Sequence, residues 1–338
     1  MALYCGIDLH SNNSYVAVID ESFKKVAEGR LPNDLAAVLG MLAPYQEELE
    51  GVVVESTWNW YWLVDGLLSA GYGVHLGNTW ANRQYDGLKY ADDRHDARWL
   101  ARLLAMGILE EGYIYPKEER PLRDLLRRRG FLVKKRTSLL LAMGGAIACH
   151  TAARVKTDDL RKLSPQDVEA LVGDPRVALA ISSQLEPVKA MDVQILRLEK
   201  AVLAEARLRD EFRPLLTVWG IGKVLALTIM YEVGQISRFA KVGNFASYCR
   251  CVKSERISNA KRKGRGNSKN GNPYLSWSFT EASHFAVRHH PVAQRYFQRK
   301  RAKTNGIVAN RALAHKLARA SYYVMRDQVD FDPAKAFG

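Results

Sequence analysis

Two short apolar segments near the N-terminus each carry a carboxylate, and this pattern most constrains the fold. Residues 3–19, LYCGIDLHSNNSYVAVI, read as two β-strands around an SNN turn, with Asp8 in the middle of the first strand. Residues 51–55, GVVVE, form another apolar strand that ends on Glu55. A charged side chain in a buried strand costs several kcal/mol unless it is paired or binds a metal. The pattern therefore predicts a sheet in which these acids have partners.

The segments that follow complete a mixed α/β pattern. Residues 56–71, STWNWYWLVDGLLSAG, are predicted as a helix that follows the strand directly, and residues 71–76, GYGVHL, as a further strand after a glycine turn. A helix is then expected over residues 92–106. The order hairpin, strand, helix, strand, helix indicates a mixed sheet covered by helices, with residues 1–110 as its core.

The helix expected near residue 92 brings two more carboxylates to this region. Asp92 is predicted as its N-cap, while Asp93 and Asp96 are three residues apart and share one helix face. That face continues with the apolar residues Ala97, Leu100 and Leu104. We expect it to pack inward, so that both carboxylates lie where the helix meets the sheet edge. Any one of these acids alone also fits a cap or a partner of the helix dipole. His10 and His95 could be metal ligands, but we favour their interpretation as polar surface residues.

Acids on a first strand, at a later strand end and on a following helix form the pattern of ribonuclease-H-like metal nucleases. Carboxylates converge there because two divalent cations are held about 3.5–4 Å apart to clamp an in-line phosphoryl transfer. An all-oxygen ligand set suits Mg²⁺, with Mn²⁺ as an alternative. We therefore predict a Mg²⁺ site formed by Asp8, Glu55, Asp93 and Asp96.

The charge distribution points to a polyanionic partner. Fifty Lys and Arg residues against 36 Asp and Glu residues give a formal net charge of +14. Much of the excess lies in two blocks: residues 117–136 hold nine basic and three acidic residues, and residues 253–303 hold thirteen and two. Such clustering is typical of proteins that bind the phosphates of nucleic acid.

Other features limit the class of protein. No apolar run approaches the roughly 18–20 residues that span a bilayer, so no membrane partner is expected. The N-terminus lacks a signal-peptide pattern, and the four cysteines lack the spacing of a zinc site. These features together favour a reduced, cytoplasmic protein.

The second half of the chain is predicted to be mostly helical. Residues 121–148 read as a long helix with basic faces. Residues 185–212 carry apolar side chains in heptad spacing, at Val188, Met191, Ile195, Leu198 and Val202. Such a seam fits an intramolecular helix pair, which we favour, or a coiled coil between two chains. A C-terminal domain is expected over residues 213–338, with an amphipathic helix near 305–327.

Two segments of this C-terminal region are candidates for phosphate binding. Residues 215–234, LLTVWGIGKVLALTIMYEVG, resemble a helix-hairpin-helix, in which Gly220 and Gly222 let backbone N–H groups approach a phosphate and Lys223 follows. The same Gly-x-Gly fits an ordinary tight turn. Residues 254–275, SERISNAKRKGRGNSKNGNPYL, form a basic, glycine-rich loop. This loop fits either phosphate binding alone or a nucleophilic serine activated by nearby cations or metal.

The nucleic-acid contacts predicted from these segments are basic residues and glycines. Those of the C-terminal region are Gly220, Gly222, Lys223, Lys261, Arg262, Lys263, Arg265 and Lys269. Those of the first basic block are Arg127, Arg128 and Arg129.

Taken in order, these segments resemble one known family. They occur in the order seen in transposases of insertion-sequence family 110. The segments are GIDLH, VVVES, YADDRHDARWLARLL with EGYIYPKEERPLRDLLRRR, VWGIGKVLALTIMYEVG, SKNGNPYL and the final amphipathic helix. The similarity is to its 1111 subgroup, also called DEDD transposases, to which the pilin-gene invertase Piv is related. It covers nearly the whole chain.

The resemblance implies three parts for the chain. The first is an N-terminal RuvC-like domain, here residues 1–150, whose DEDD acids would be Asp8, Glu55, Asp93 and Asp96. The second is a helical linker or coiled coil, here residues 151–212. The third is a mostly α-helical transposase domain, here residues 213–338, that carries a catalytic serine.

The position of that serine follows from the family's motif. In family members it precedes two glycines and a lysine, and it lies thirteen residues before the glycine of a Lys-x-Gly-Asn motif, which is Gly271 here. Counting back gives Ser258. Asn259 and Ala260 stand in place of the two glycines, and Ser254 is the alternative nucleophile.

The resemblance also implies a mechanism and partners. Family members exchange DNA strands through a covalent phosphoserine link, with the serine and the metal site brought together across protomers. A structured non-coding RNA, the bridge or seek RNA, pairs with both target and donor DNA. The implied partners are therefore DNA, a guide RNA and further copies of the chain, as a dimer or tetramer.

Two other functions fit parts of the sequence. A RuvC-like metal-dependent DNA nuclease or Holliday-junction resolvase would cut with water and would need the acids but not the serine. A non-enzymatic nucleic-acid scaffold would need only the basic charge. Buried acids in a basic protein argue against the scaffold, because they repel phosphate.

Overall fold

The computed structural model of the protein describes residues 1–79, 81–82, 92–206, 209–252, 255–259, 261–264 and 270–338. They divide into two compact units, Met1–Lys117 and Glu118–Gly338. Four residues of the sequence predictions, Ser254, Ala260, Arg265 and Lys269, lie outside the described residues. In the part of the chain that is described, no helix is long and apolar enough to cross a bilayer.

The first unit is built on a five-stranded mixed sheet in the order β3-β2-β1-β4-β5. Its strands are β1 (Leu3–Leu9), β2 (Asn13–Asp20), β3 (Lys25–Pro32), β4 (Leu49–Glu55) and β5 (Val74–Gly77). β2 runs antiparallel to β1 and β3, whereas β1, β4 and β5 are parallel. Its helices are α1 (Leu35–Leu42), α2 (Tyr61–Ser69) and α3 (Asp93–Ala105). The predicted mixed α/β sheet is confirmed, and the arrangement is consistent with the RuvC-like fold.

Two features of this unit differ from the sequence-based prediction. β3 was not predicted, because its residues are exposed or half-exposed and lack a clear apolar alternation. Helix α2 begins at Tyr61 and not at residue 56. The residues before it form a loop in which the Thr57 hydroxyl donates to Asn59 Oδ1 (2.9 Å), while Asn59 Nδ2 donates to the carbonyl of His10 (2.9 Å). Those side-chain hydrogen bonds compete with helix formation.

The second unit is mostly helical. Its helices are α4 (Arg120–Thr151), α5 (Thr157–Leu160), α6 (Pro165–Val172), α7 (Pro175–Ser182), α8 (Leu185–Glu205), α9 (Phe212–Thr217), α10 (Lys223–Val233), α11 (Val242–Tyr248), α12 (Pro273–His289), α13 (Pro291–Lys303), α14 (Gly306–Asp327) and α15 (Pro333–Phe337). One hairpin, β6 (Arg256–Ser258) with β7 (Lys261–Gly264), precedes α12. The predicted mostly helical C-terminal part is therefore confirmed.

The heptad seam of α8 packs within the chain. Val188, Ile195 and Val202 are buried, and α8 lies along α4. The two helices are antiparallel, because Arg129 pairs with Glu199 and Arg136 pairs with Asp192. This arrangement is the intramolecular helix pair that the sequence analysis favoured.

Two hydrophobic cores stabilise the second unit. The smaller one, which includes Met143 and Ile181, lies between the C-terminal half of α4 and α5–α8. The larger one is built mainly from α9–α12 and α14 and includes Phe245 and Phe279. The segment that carries Ser258 leaves this larger core after α11 and returns to it at α12.

Candidate active site and nucleic-acid interface

Sheet register places Asp8 and Glu55 side by side. Ile7 on β1 pairs with Val54 on the parallel strand β4, and each acid is the next residue of its strand. Paired positions of neighbouring strands face the same side of a sheet. Asp8 is only 2% exposed, whereas Glu55, at the end of its strand, is half-buried. The sheet therefore presents two adjacent carboxylates on one face, as the sequence predicted.

Helix α3 closes over the same face of β1. Asp92 caps the helix by accepting a hydrogen bond from the backbone N–H of His95 (2.9 Å), as predicted. Ala97 and Leu100 are buried against the sheet. Gly6, two residues before Asp8, allows this approach, because a Cβ there would overlap the carbonyl oxygen of Ala97. Asp93 lies one turn before Ala97, so the start of the helix projects toward Asp8.

The structure also brings His10 into this site. Its Nε2 lies 3.2 Å from Asp8 Oδ2 and 3.1 Å from Asp93 Oδ1. These three ligand atoms lie within 4.8 Å of one another. The His10 side chain is 40% exposed, in keeping with its interpretation as a surface residue, and it also lies beside two acids of the predicted metal site. The sequence held a signal for it, since residues two apart on a strand share a face and His10 follows Asp8 by two.

Arg30 on β3 also contacts these acids and was not predicted from the sequence. Its Nη2 donates to Asp93 Oδ2 at 2.6 Å. Burial alone would raise the pKa of Asp93, but hydrogen bonds and positive charge from His10 and Arg30 outweigh it and lower the pKa below its usual range. Asp93 is therefore held as a carboxylate by two cationic or donor groups. No sequence signal marked Arg30, because β3 itself was not predicted.

The ionised forms of Asp8 and Asp96 are destabilised. Burial, a hydrogen bond shared with Glu55 and the charges of the neighbouring acids raise the pKa of Asp8 to about 8. Burial and the charge of Glu55 raise the pKa of Asp96 as well. Asp96 is exposed and is not part of the cluster formed by Asp8, His10 and Asp93. The predicted inward packing of this helix face therefore holds for Ala97 and Leu100 but not for Asp96.

The donor set fits a divalent cation. Asp8 Oδ2 is buried and, within the described part of the chain, accepts no hydrogen bond of good geometry. Carboxylate oxygens on a strand, a strand end and a helix face one another, and a divalent ion would offset their mutual repulsion. Glu55 and Asp96 complete the acids that could hold such an ion, since each raises the pKa of Asp8 through its charge.

Ser258 lies at the turn of the β6–β7 hairpin. It is exposed and pairs across the hairpin with Lys261. Directly opposite residues place their Cβ atoms about 4.5–5.5 Å apart, so Lys261 is the cation that register brings closest to the serine. Asn259 follows with φ +51°, in the left-handed region. Asn is one of the few non-glycine residues that tolerate this conformation, which is compatible with Asn standing where the family has glycine.

The arginines predicted to bind nucleic acid differ in their surroundings. Arg127 donates through Nε and Nη2 to buried Glu232, at 2.6 and 2.8 Å. Arg129 pairs with Glu199 (2.6 Å). These two guanidinium groups are bound within the protein, which argues against their predicted role as phosphate contacts. Arg128 is exposed and lies over the ring of Phe131, which leaves its outer face available.

The glycines before α10 also separate into two roles. Gly220 has φ +80°, and a Cβ there would overlap the carbonyl oxygen of Ala282 on α12. Gly220 is therefore required for helix packing, which accounts for it without a phosphate contact. Gly222 is the N-cap of α10, and both it and Lys223 are exposed, with open space beside Gly222. The N-terminus of α10 keeps the features of the predicted phosphate site.

Further exposed cations lie on the hairpin and on α13. Lys261 and Lys263 are exposed on β7, and the backbone of Arg262 lies between them. Helix α13 buries only Ala293 among its residues. Its exposed cations are Arg295, Arg299, Lys300, Arg301 and Lys303. These described cations of the second basic block therefore face solvent.

Two parts of the chain match known transposase families. Residues 5–146 match the DEDD transposase domain of the IS110 family, and residues 213–298 match the Transposase IS116/IS110/IS902 family. A probable family 20 transposase of Pseudomonas aeruginosa is 22% identical over 254 residues, covering 71% of this chain and 74% of the relative. The transposase for insertion sequence element IS1111A of Coxiella burnetii is 24% identical over 201 residues, covering 59% of this chain and 55% of the relative.

Proposed function

Because this chain is an insertion-sequence transposase of the IS110 family, we propose that it acts as an RNA-guided, site-specific DNA recombinase. In this proposal, DNA strands are cut and exchanged through a covalent phosphoserine intermediate. A divalent metal ion at the acidic cluster supports the chemistry. The observation that carries the proposal is the convergence of Asp8, Glu55 and the start of α3 on one face of the mixed sheet.

Asp8, Glu55, Asp93 and Asp96 would hold Mg²⁺ or Mn²⁺. When bound, the ion supplies electrostatic stabilisation of the charge that develops on the transferring phosphoryl group. The protein's contribution is to fix the carboxylates beforehand. Asp8 and Glu55 are fixed by the register of β1 and β4, and Asp93 by its hydrogen bond from Arg30. Preorganised ligands lose little freedom when substrate arrives.

Ser258 is the proposed nucleophile. Its Oγ gives up its proton and attacks the phosphorus of a DNA phosphodiester. The bond from phosphorus to one deoxyribose oxygen breaks, and that oxygen takes up a proton and leaves as a sugar hydroxyl. A sugar hydroxyl of the incoming strand then attacks the phosphoserine, which joins the strands and restores the serine. The bond energy is conserved through both steps, so no nucleotide cofactor is needed. Exposure of Ser258 and the cross-strand position of Lys261 support this role.

Two polyanions would occupy the basic surfaces. We propose that one is the guide RNA and the other the element-end and target DNA, each bound mainly through backbone charge and helical shape. The exposed cations of α13, Lys223 at the start of α10 and Arg128 on α4 are candidates for these contacts. Exchange of four strands also calls for several copies of the chain, as a dimer or tetramer.

The test is recombination by the full chain with element-end DNA, target DNA and RNA transcribed from the non-coding DNA beside its coding region. Ser258→Ala should abolish both recombination and the protease-sensitive protein–DNA adduct. Ser254→Ala is the matched control and should retain both. Asp8→Asn should abolish cleavage, and omission of the RNA should abolish targeting.

The same experiment separates the competing function. If Ser258→Ala and Ser254→Ala both cut DNA without an adduct while Asp8→Asn does not, the chain is a water-using metal nuclease. If the adduct is lost only in Ser254→Ala, the nucleophile has been misassigned within the loop. Binding without any cleavage by the unaltered chain in the presence of RNA and metal would contradict an enzymatic role.

A further inference from the structure

We infer that His10 is a further ligand of the divalent ion, so that the site combines one imidazole nitrogen with carboxylate oxygens and binds Mn²⁺ more tightly than Mg²⁺. The inference rests on the proposed metal role of the acidic cluster. It adds a residue to that cluster that lies outside the four DEDD acids.

The spacing of the ligand atoms supports this role. His10 Nε2 is 3.2 Å from Asp8 Oδ2 and 3.1 Å from Asp93 Oδ1. An octahedral ion with ligands at about 2.1 Å separates neighbouring ligand atoms by roughly 3.0 Å, from simple geometry. The nitrogen therefore stands, relative to both oxygens, where a neighbouring ligand of the same ion would stand. All three atoms belong to one cluster, within 4.8 Å of each other.

The state of Asp8 is an independent observation. Its side chain is 4% exposed, and Oδ2 accepts no hydrogen bond of good geometry from the described residues, although His10 Nε2 is near. A buried carboxylate oxygen without a hydrogen bond is costly and requires another partner. It faces both the imidazole and the Asp93 carboxylate, and an ion among these three groups would supply that partner.

The backbone of His10 is held in place from two sides. Its carbonyl oxygen accepts hydrogen bonds from Asn33 Nδ2 (3.0 Å) and Asn59 Nδ2 (2.9 Å). Its N–H donates to the carbonyl of Asn13 (2.9 Å). These amides come from the loops before α1 and before α2, so the strand end that carries the imidazole is fixed. Such support is typical of metal ligands, whose orientation is set by groups behind them.

A nitrogen ligand changes the preference of the site for metals. Mg²⁺ favours oxygen ligands and retains its waters, whereas transition metals, Mn²⁺ among them, bind more tightly to sites that include nitrogen. Loss of the imidazole should therefore weaken Mn²⁺ binding more than Mg²⁺ binding. Loss of groups that merely support a ligand weakens metal binding about 10–100-fold, so loss of His10 should weaken Mn²⁺ binding at least about tenfold.

The experiment is Mn²⁺ binding to the full chain, followed by electron paramagnetic resonance. Titration gives the Mn²⁺ affinity, competition with Mg²⁺ gives the preference, and pulsed measurements detect a nitrogen bonded to the Mn²⁺ ion. The variants are His10→Ala and Asp8→Asn. His95→Ala, in the first turn of α3, and His75→Ala, which removes the imidazole paired with Glu111 (2.9 Å), are matched controls. Circular dichroism confirms folding, and His10→Gln provides a polar replacement if His10→Ala is unfolded.

The outcomes are distinct. We expect a nitrogen bonded directly to Mn²⁺ in the unaltered chain. Its signal should be lost in His10→Ala or His10→Gln and kept in both controls. Mn²⁺ binding that requires Asp8 but shows no nitrogen, with unchanged affinity in the His10 variants, overturns the inference and leaves the proposed metal role intact. A nitrogen signal lost only in His95→Ala also overturns it. If neither Mn²⁺ nor Mg²⁺ binds in a way that is lost in Asp8→Asn, both the proposed metal role and the inference are overturned.

Discussion

Gly6 on β1 lies directly against the backbone of Ala97 on α3, with no room for a side chain between strand and helix. A Cβ on Gly6 would overlap the Ala97 carbonyl oxygen and would come within 2.8 Å of the backbone nitrogen of Ala101. Because Gly6 and Asp8 share a strand face, this contact brings the first turn of α3 toward the Asp8 carboxylate. The glycine therefore positions half of the proposed metal site without contacting it.

Gly6→Ala should displace α3 and weaken divalent-metal binding. Over-packing of this kind typically costs about 1–3 kcal/mol, and here the obstacle is backbone that cannot rotate away. We expect a lower melting temperature and weaker Mn²⁺ affinity. Gly40→Ala is the matched control, because Gly40 is exposed on α1 with open space around it, and the change should be neutral or stabilising. Equal melting temperatures for the two variants would contradict the close-contact explanation.

The raised pKa of Asp8 predicts a specific pH dependence of stability. Its ordinary value is 3.8, and in the folded protein it rises to about 8. The folded state thus holds this proton more tightly than the unfolded state does. The stability contribution of Asp8 is fully present below about pH 4 and is lost as the pH rises through 8. In metal-free buffer, the unfolding free energy should decline over this range by more than it does in Asp8→Asn.

Divalent metal should cancel this decline only when Asp8 is present. At pH 8, Mg²⁺ or Mn²⁺ should raise the melting temperature of the unaltered chain, because binding to the folded state alone stabilises it. Asp8→Asn should be more stable than the unaltered chain without metal and should gain little from metal. Equal pH dependence in both proteins would contradict the assignment of the raised pKa.

The buried ion pair between Arg127 and Glu232 predicts strong coupling between α4 and the C-terminal core. Glu232 is 2% exposed and also accepts a hydrogen bond from Asn272 Nδ2 (2.7 Å). Removing one member of a buried pair costs about 3–5 kcal/mol, because the remaining charge stays buried without its partner. Glu232→Gln and Arg127→Met should each destabilise strongly, and the double variant should lose much less than the sum. Additive losses in chemical unfolding would show that the two side chains are not coupled. Asp124→Asn, at an exposed position on α4, is the control.

The left-handed conformation of Asn259 predicts which residues the serine hairpin accepts. Its φ of +51° is open to glycine and asparagine but costs other L-residues about 1–2 kcal/mol. Asn259→Gly should keep the protein–DNA adduct at Ser258, whereas Asn259→Val should reduce its rate of formation. The measurement is the rate of covalent trapping on a nicked substrate. A valine variant as fast as the glycine variant would show that this turn does not set the serine's position.

The positions of several acids of the proposed metal site were predictable from the sequence because strands and helix starts carry local signals. Asp8 interrupts an apolar strand, Glu55 ends one, and Asp92 precedes a periodic helix, and each was located correctly. For His10 the surface interpretation was favoured over a ligand role because a polar residue at a strand end is usually exposed. Its proximity to Asp93 arises from packing of α3, which depends on the missing side chain of Gly6.

Which charged side chains pair with each other could not be predicted from the sequence. Arg127, Arg128 and Arg129 are consecutive and look equivalent, yet helical rotation directs them toward Glu232, solvent and Glu199 respectively. The first and last partners lie 105 and 70 residues away along the chain. A run of basic residues therefore reports total charge, and only the fold determines which charges remain for an external partner.

The difference between paired and exposed cations on α4 predicts how nucleic-acid binding depends on salt. Arg128 and Lys135 are exposed on α4, and both lie over the ring of exposed Phe131, at 5.5 Å from its centroid. If these residues contact phosphates, the double change Arg128→Gln with Lys135→Gln should lower the slope of log affinity against log salt by about 2, since each lost contact removes about one released counterion.

Arg129→Gln is the control: it removes one positive charge from the same helix, but this guanidinium is bound to Glu199. It should leave the slope unchanged, even if it lowers stability slightly. Equilibrium binding of RNA and of duplex DNA, each measured over a series of salt concentrations, checks the prediction. Equal slopes for the double variant and the control would remove α4 from the proposed interface and leave the cations of α13 and the β6–β7 hairpin as its candidates.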